Sequence, residues 1–163
     1  DGTLDKYKAR FVQKGHLGNM KKGVHYDEVF APAPKLVSTR LLQALRVKLG
    51  WHSLPFDIET AFLHAETEER EQYPIKMPEG QREYRDGEEC FNLLHKNLYG
   101  SPVAPRRFCE LRDSWILEEF NKDGWTAKQM RADPCMFKLT SPTDNLSFMV
   151  IHTDDVDQVS EMA

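Results

Sequence analysis

The stretch SFMVIHTDDVDQV, Ser147 to Val159, runs four apolar residues, Phe148 to Ile151, straight into two adjacent carboxylates, Asp154 and Asp155. Neighbouring side chains on a strand point to opposite faces, so an unbroken strand would bury one of the pair. The pattern predicts a tight bend at the end of a buried strand. Two readings of that bend are open. A solvated turn needs nothing further, because Asp is a favoured turn residue. A divalent-metal site needs at least one more carboxylate from elsewhere in the chain. The best candidate is Asp57 in LPFDIETAFLHA, which sits in an apolar frame. An Asp on a strand, beside a turn carrying two, would let three carboxylates converge on a pair of Mg²⁺ ions, hard cations that take oxygen ligands. Two such ions can activate an attacking oxygen and stabilise a leaving one.

These residues need a scaffold, and the elements read along the chain are of mixed type. KYKARFVQKG, Lys6 to Gly15, reads as a strand in a basic setting. NMKKGVHYDEVFAPAP is loop. VSTRLLQALRVKLGW reads as a helix, with Ser38 as its N-cap, Leu41, Leu42, Leu45 and Leu49 at helical spacing, and Gly50 at its C-terminus. A short strand is expected around Phe56 to Ile58, passing into a helical turn, with others near Ile75 and from Phe91 to Leu94. PVAPRRFCELRDSWILEEFNKDG reads as the second helix, with Phe108, Leu111, Trp115 and Phe120 as its core face and Gly124 ending it. PCMFKL and LSFMVIH flank the turn-rich TSPTDN, which predicts a β-hairpin. Strands and helices do not alternate in a βαβα rhythm, so an α+β domain is expected.

Composition narrows the classes. The 163 residues are 40% hydrophobic and 29% charged, as in a globular protein, and no apolar run approaches a membrane span, so no membrane partner is expected. The chain starts at Asp1 and stops at Ala163 soon after the Asp pair, and reads as an internal fragment. Cys90, Cys109 and Cys135 are far apart and odd in number, which suggests neither a disulfide framework nor a zinc knuckle and fits a reducing compartment. His16, His25, His52, His64 and His95 have no metal-ligand spacing. The net charge of −4 conceals an asymmetry: residues 1–50 carry ten Lys or Arg against four Asp or Glu, and residues 51–90 carry four against eleven. A basic first third could serve an anionic partner such as nucleic acid.

Six segments, in order, carry a resemblance: YKARFVQKG, YDEVFAPAPKLVSTRLLQAL, GWHSLPFDIETAFLHA, LYGSPVAPRRF, ADPCMF and IHTDD. In these the chain resembles the reverse transcriptase domain of copia-type (Pseudoviridae-like) LTR retrotransposon polyproteins, over nearly its whole length. The resemblance implies the fingers and partial palm of a right-hand polymerase, an antiparallel palm sheet with packed helices that stops before the thumb. Residues of about 1–50 and 66–100 would be fingers-like, and about 51–65 and 101–163 palm-like, with thumb, connection and RNase H domains absent. The implied reaction is RNA-directed DNA synthesis: two-metal nucleotidyl transfer from a dNTP to a primer 3′-OH. Two Mg²⁺ ions, for which Mn²⁺ may substitute, would be held by Asp57, Asp154 and Asp155.

The same resemblance assigns further roles. The Ile58 peptide oxygen would help hold the nucleotide's metal, and Phe62 would close the space a ribose 2′-OH needs. Lys8 and Arg10 would steady the triphosphate, a role that suits the planar fork of Arg. Tyr99 and Gly100 would lie nearest the nucleotide, and His152 at the primer end. The implied partners are an RNA or DNA template with its primer, dNTP, and the thumb, RNase H and integrase parts of a polyprotein. The implied location is cytoplasmic, in a virus-like particle. The chain departs from the family at His152, where Tyr is usual, at Thr153, where an aliphatic residue is common, and at Ser101 to Val103, where Leu-Lys-Gln is usual. Two alternatives stand beside this reading: a decayed relic that folds without catalysis, and a nucleic-acid-binding module whose affinity would not need Mg²⁺ and would fall steeply with salt.

Overall fold

The computed structural model describes residues 9–15 and 20–161. Among these, the principal elements are a helix α1 (Leu36–Leu49), a strand β1 (His52–Asp57), short strands β2 (Pro74–Ile75), β3 (Tyr84–Arg85), β4 (Glu88–Glu89) and β5 (Asn92–Leu93), a helix α2 (Ala104–Glu119), and strands β6 (Thr126–Met130), β7 (Asp133–Thr140), β8 (Leu146–His152) and β9 (Asp155–Ser160). One antiparallel sheet runs in the order β1-β9-β8-β7-β6, while β2 pairs with β5 and β3 with β4 in two small ribbons. The result is an α+β fold.

The two helices cover opposite faces of the sheet. Along β7 and β8, apolar residues occupy both faces, so the strands read as continuous hydrophobic runs rather than alternating ones. Phe137, Leu139, Met149, Ile151 and Val156 pack with Ile116 of α2. Met136, Val150 and Val159 pack with Leu42 of α1. The expected hairpin is present as β7–β8.

Helix α1 begins two residues before Ser38 and is capped from a distance. Its N-cap position is Lys35, which makes no side-chain cap of its own, so the expectation that Ser38 is the N-cap is corrected. Asp133 at the start of β7 does that work: its carboxylate accepts from the Lys35 N–H at 2.8 Å and from the Cys135 N–H at 3.0 Å. This side chain is only 1% exposed. Burial pushes its pKa up, but hydrogen bonds from the Ser38 side chain and the two N–H groups, with the Lys35 charge, outweigh that and hold it below the ordinary carboxylate value. A lowered folded-state pKa means that Asp133 contributes stability above the unfolded value of about 3.9, lost as pH falls through the lower folded value. Asp133→Ala is expected to cost about 1–3 kcal/mol in urea unfolding at neutral pH. Asp133→Asn should flatten the acid limb of the stability profile; an unchanged limb would remove this account.

Helix α2 also departs from expectation. Its buried face is Ala104, Phe108, Cys109, Arg112 and Ile116. Leu111 and Trp115, expected in the core, are 43% and 56% exposed. They line an apolar groove of about 390 Å³ with Phe56, Ile58 and Phe108. Pro105 in the first turn fixes where the helix starts. Cys109 and Cys135 are buried free thiols, and burial pushes Cys135 up to about 11, which makes it a packing residue rather than a nucleophile.

The segment expected to be a strand from Lys6 to Gly15 is not one where it is described. Residues 9–14 have no regular structure, and residues 1–8 lie outside the described set. Residues 13–15 are instead locked against the LYGS segment. The Gln13 N–H donates to the Tyr99 carbonyl at 2.7 Å. At Gly100, φ is +86° and an added Cβ would lie 2.1 Å from the Gln13 carbonyl oxygen; at Gly15 it would lie 2.3 Å from the Gly100 oxygen. Only residues without a Cβ allow the two backbones to cross this closely.

Candidate functional site

The bend at the Asp pair is real, and its register decides where the carboxylates go. β8 ends at His152 and β9 starts at Asp155, with Thr153 in the left-handed region at φ 58°. β9 then runs back between β8 and β1, which sets Asp155 opposite both His152 and Asp57. The Ile58 N–H donates to the Asp154 carbonyl at 2.9 Å. In an antiparallel ladder the next pair outward, Asp57 with Asp155, then falls between hydrogen bonds, where facing side chains are closest. The same alternation turns the nitrogen of Pro55 to the open side of β1, the place in a sheet where a missing N–H is tolerated.

Two cavities meet at this edge. One, of about 630 Å³, is lined by Asp57, Asp154, Ile58, Arg10 and Tyr99 among others. The other, of about 610 Å³, is lined by Asp57, Asp155, His152, Gln43 and Arg46 among others. Asp57 borders both, Asp154 the first and Asp155 the second. Among the described residues, no three His, Cys, Asp or Glu side chains come together closely enough to hold a metal ion. The structure thus brings Asp57 beside each of the other two without converging all three.

The first cavity has a cationic and aromatic wall. The Arg10 guanidinium lies 5.3 Å from the centre of the Tyr99 ring, within cation–π range. Behind Tyr99 stands Phe62, edge-on at 5.3 Å, itself half-buried and edge-on to Phe108. Tyr99 and Phe11, rather than Phe62, are the aromatics that line the cavity. Gly100 forms the crossing with Gln13 described above. Lys8 lies outside the described residues.

Several residues of the site escaped sequence reading. Thr39, Gln43 and Arg46 line the second cavity from one face of α1, at the i, i+4, i+7 spacing that a polar stripe would have revealed. Asp157, the third acid of DDVD, is held by Gln43 Nε2 at 2.5 Å and Ser53 Oγ at 2.8 Å. Asp57, Asp154 and Asp155 form no ion pair among the described residues. Like charges directly opposite on a sheet destabilise it. Asp157 is thus paired within the fold, whereas Asp57 and Asp155 are exposed and face each other.

β1 and the β8–β9 turn thus carry carboxylates into two clefts, the first of which has a cation and an aromatic ring in its wall. Comparison with known proteins adds to this. The pattern of the family "Reverse transcriptase (RNA-dependent DNA polymerase)" matches residues 2–139. The chain is 33% identical over 156 residues to the Retrovirus-related Pol polyprotein from transposon TNT 1-94 of Nicotiana tabacum, covering 96% of this chain and 11% of that one. It is 31% identical over 157 residues to the Retrovirus-related Pol polyprotein from transposon RE2 of Arabidopsis thaliana, covering 96% and 10%. No solved structure matches. The chain belongs to the reverse transcriptase family of copia-type retrotransposon polyproteins. It spans about a tenth of the length of the curated relatives it matches. The family match includes Asp57 and ends before the Asp pair, which the matches to the relatives reach by their length. No helix among the described residues is long and apolar enough to cross a membrane.

Proposed function

We propose that the chain is the fingers-and-palm portion of an RNA-directed DNA polymerase, with its nucleotidyl-transfer site at the meeting of β1 and the β8–β9 turn. The observation that carries this reading is the register that sets Asp57 opposite Asp155, two exposed like charges on facing strands. The oxygen-only donor set suits Mg²⁺, which in phosphoryl-transfer sites takes one or two carboxylates plus substrate phosphates. When bound, the metal would neutralise charge developing on the transferred phosphoryl group. Asp57, Asp154 and Asp155 would hold it. Arg10 would pair with triphosphate oxygens, and Tyr99, buttressed by Phe62, would form the wall against the nucleotide. His152 would lie by the primer end. Template with primer, and dNTP, are the partners this site would take, together with the remaining polyprotein domains.

Mn²⁺ binding read by water-proton relaxation tests this directly. Binding that tightens with dNTP and disappears in both Asp57→Asn and Asp154→Asn is expected. Binding indifferent to both substitutions would remove the assignment. A second reading, a relic that folds without catalysis, is favoured by the division of Asp154 and Asp155 between two cavities. It predicts no Mn²⁺ binding at all.

A further inference from the structure

Arg112 is a buried cation on the apolar face of α2, its guanidinium 6.0 Å from the centre of the Phe108 ring. It sits in the middle of the buried face of α2, between Phe108 and Ile116, and is 4% exposed. At that i, i+4, i+8 position an apolar residue would fill the layer without the cost of desolvating a guanidinium. Its Nε and Nη2 donate to Asp113 Oδ1 at 2.9 and 2.7 Å. Asp113 is fixed in turn by Gln129 Nε2 at 2.9 Å. The remaining arm reaches away from the helix: Nη1 donates to the Thr153 carbonyl at 3.1 Å.

Thr153 is the residue that sets the course of the Asp154–Asp155 turn. A β-branched residue at φ 58° is in a conformation it rarely adopts, so the turn needs outside restraint. Two bonds, one on either side, supply it: the N–H of Ile58, just past the end of β1, to the Asp154 carbonyl, and Arg112 of α2 to the Thr153 carbonyl. One joins the turn to the strand that carries Asp57. The other joins it to the helix beneath.

We infer that Arg112 is a positioning residue of the metal site: buried, touching no substrate, it clamps the backbone of the turn so that Asp154 and Asp155 are presented in a fixed orientation beside Asp57. The inference rests on the reading of these aspartates as metal ligands, and it deepens that reading by naming what holds them. Groups that orient ligands from behind are worth about 10–100-fold in metal affinity when lost.

The test uses the 163-residue chain and three variants: Arg112→Leu, Asp113→Asn, and the double variant, which leaves no unpaired carboxylate should Arg112→Leu fold poorly. Two quantities are read, Mn²⁺ affinity and hydrogen exchange at the Ile58 amide, with the Phe137 and Leu139 amides as a measure of the sheet core. Arg112→Leu and the double variant are expected to weaken Mn²⁺ by about tenfold or more and to speed Ile58 exchange by about tenfold, the core amides being unchanged. Asp113→Asn, which leaves Nη1 on the Thr153 carbonyl, is expected to stay within about twofold on both. Unchanged Ile58 exchange in both Arg112 variants overturns the inference, as does an equal effect of Asp113→Asn. If the parent chain binds no Mn²⁺, the metal reading fails while the exchange rate at Ile58 still decides whether Arg112 holds the turn.

Discussion

Asp57→Asn is expected to abolish primer extension by the complete polymerase while leaving the sheet as stable as before, or slightly more so. The two halves of that result have different physical origins. On the proposed reading, in which Asp57 would hold the metal, its loss would remove several kcal/mol of transition-state charge stabilisation, which at about 1.4 kcal/mol per factor of ten is a rate loss of about a thousandfold or more. Stability moves the other way. Asp57 faces Asp155 across a close, non-hydrogen-bonded pair, and removing one of two facing like charges relieves about 0.2–1 kcal/mol. Single-nucleotide extension and urea unfolding of the same variant measure both. A variant that kept full extension activity would take Asp57 out of the site. One that lost extension because it unfolded would show that the carboxylate is structural.

Arg107→Ala is expected to do the opposite, striking the fold rather than the chemistry. Arg107 in α2 donates to both oxygens of Glu71, at 2.7 to 3.0 Å, and also pairs with Glu68 and Glu110. Glu71 is the deeply buried member, its side chain 2% exposed. It also accepts from the Glu68 N–H at 3.0 Å, closing a reciprocal cap on the single turn at residues 69–71. The guanidinium is held well above its ordinary pKa by its hydrogen bonds to Glu71, so it stays charged throughout the accessible pH range. Truncating it leaves Glu71 buried without a cation, a loss of about 3–5 kcal/mol. That is a large share of the stability of about 5–15 kcal/mol available to a domain. A fall in Tm of about 6–20 °C should follow. The double variant Arg107→Met/Glu71→Leu should recover most of it, because replacing both partners removes the unpaired charge. If Arg107→Ala left Tm unchanged, the network would be no more than a surface cluster.

The asymmetry between these two sites bears on how charges are placed in this chain. Around Arg107 every acid has a cation, and the arrangement is explained by folding. Around Asp57 the acids face each other, and Arg10, the cation lining the first cavity among the described residues, lies over the Tyr99 ring.

By itself the sequence determined the local signals and the family. Helix α1 ends at Gly50 in the left-handed conformation that Gly favours, the β7–β8 hairpin forms around TSPTDN, and the chain bends at the Asp pair, because each of these follows from nearest-neighbour chemistry. The ordered motifs pointed to the same family that the comparisons show. Tertiary structure alone decided the rest. β9 was not legible because Val156 and Val159 point to opposite faces, each covered by a different helix, so no period of two marks the strand. The buried face of α2 was misread because Leu111 and Trp115 look like core, whereas the sheet takes the side that bears Arg112. The cap on α1 comes from Asp133, 98 residues away from the N–H it receives, where local sequence offered Ser38. In each case the deciding partner lies across the fold, and which face, cap or register wins depends on what packs against it, a quantity that spacing along the chain does not contain.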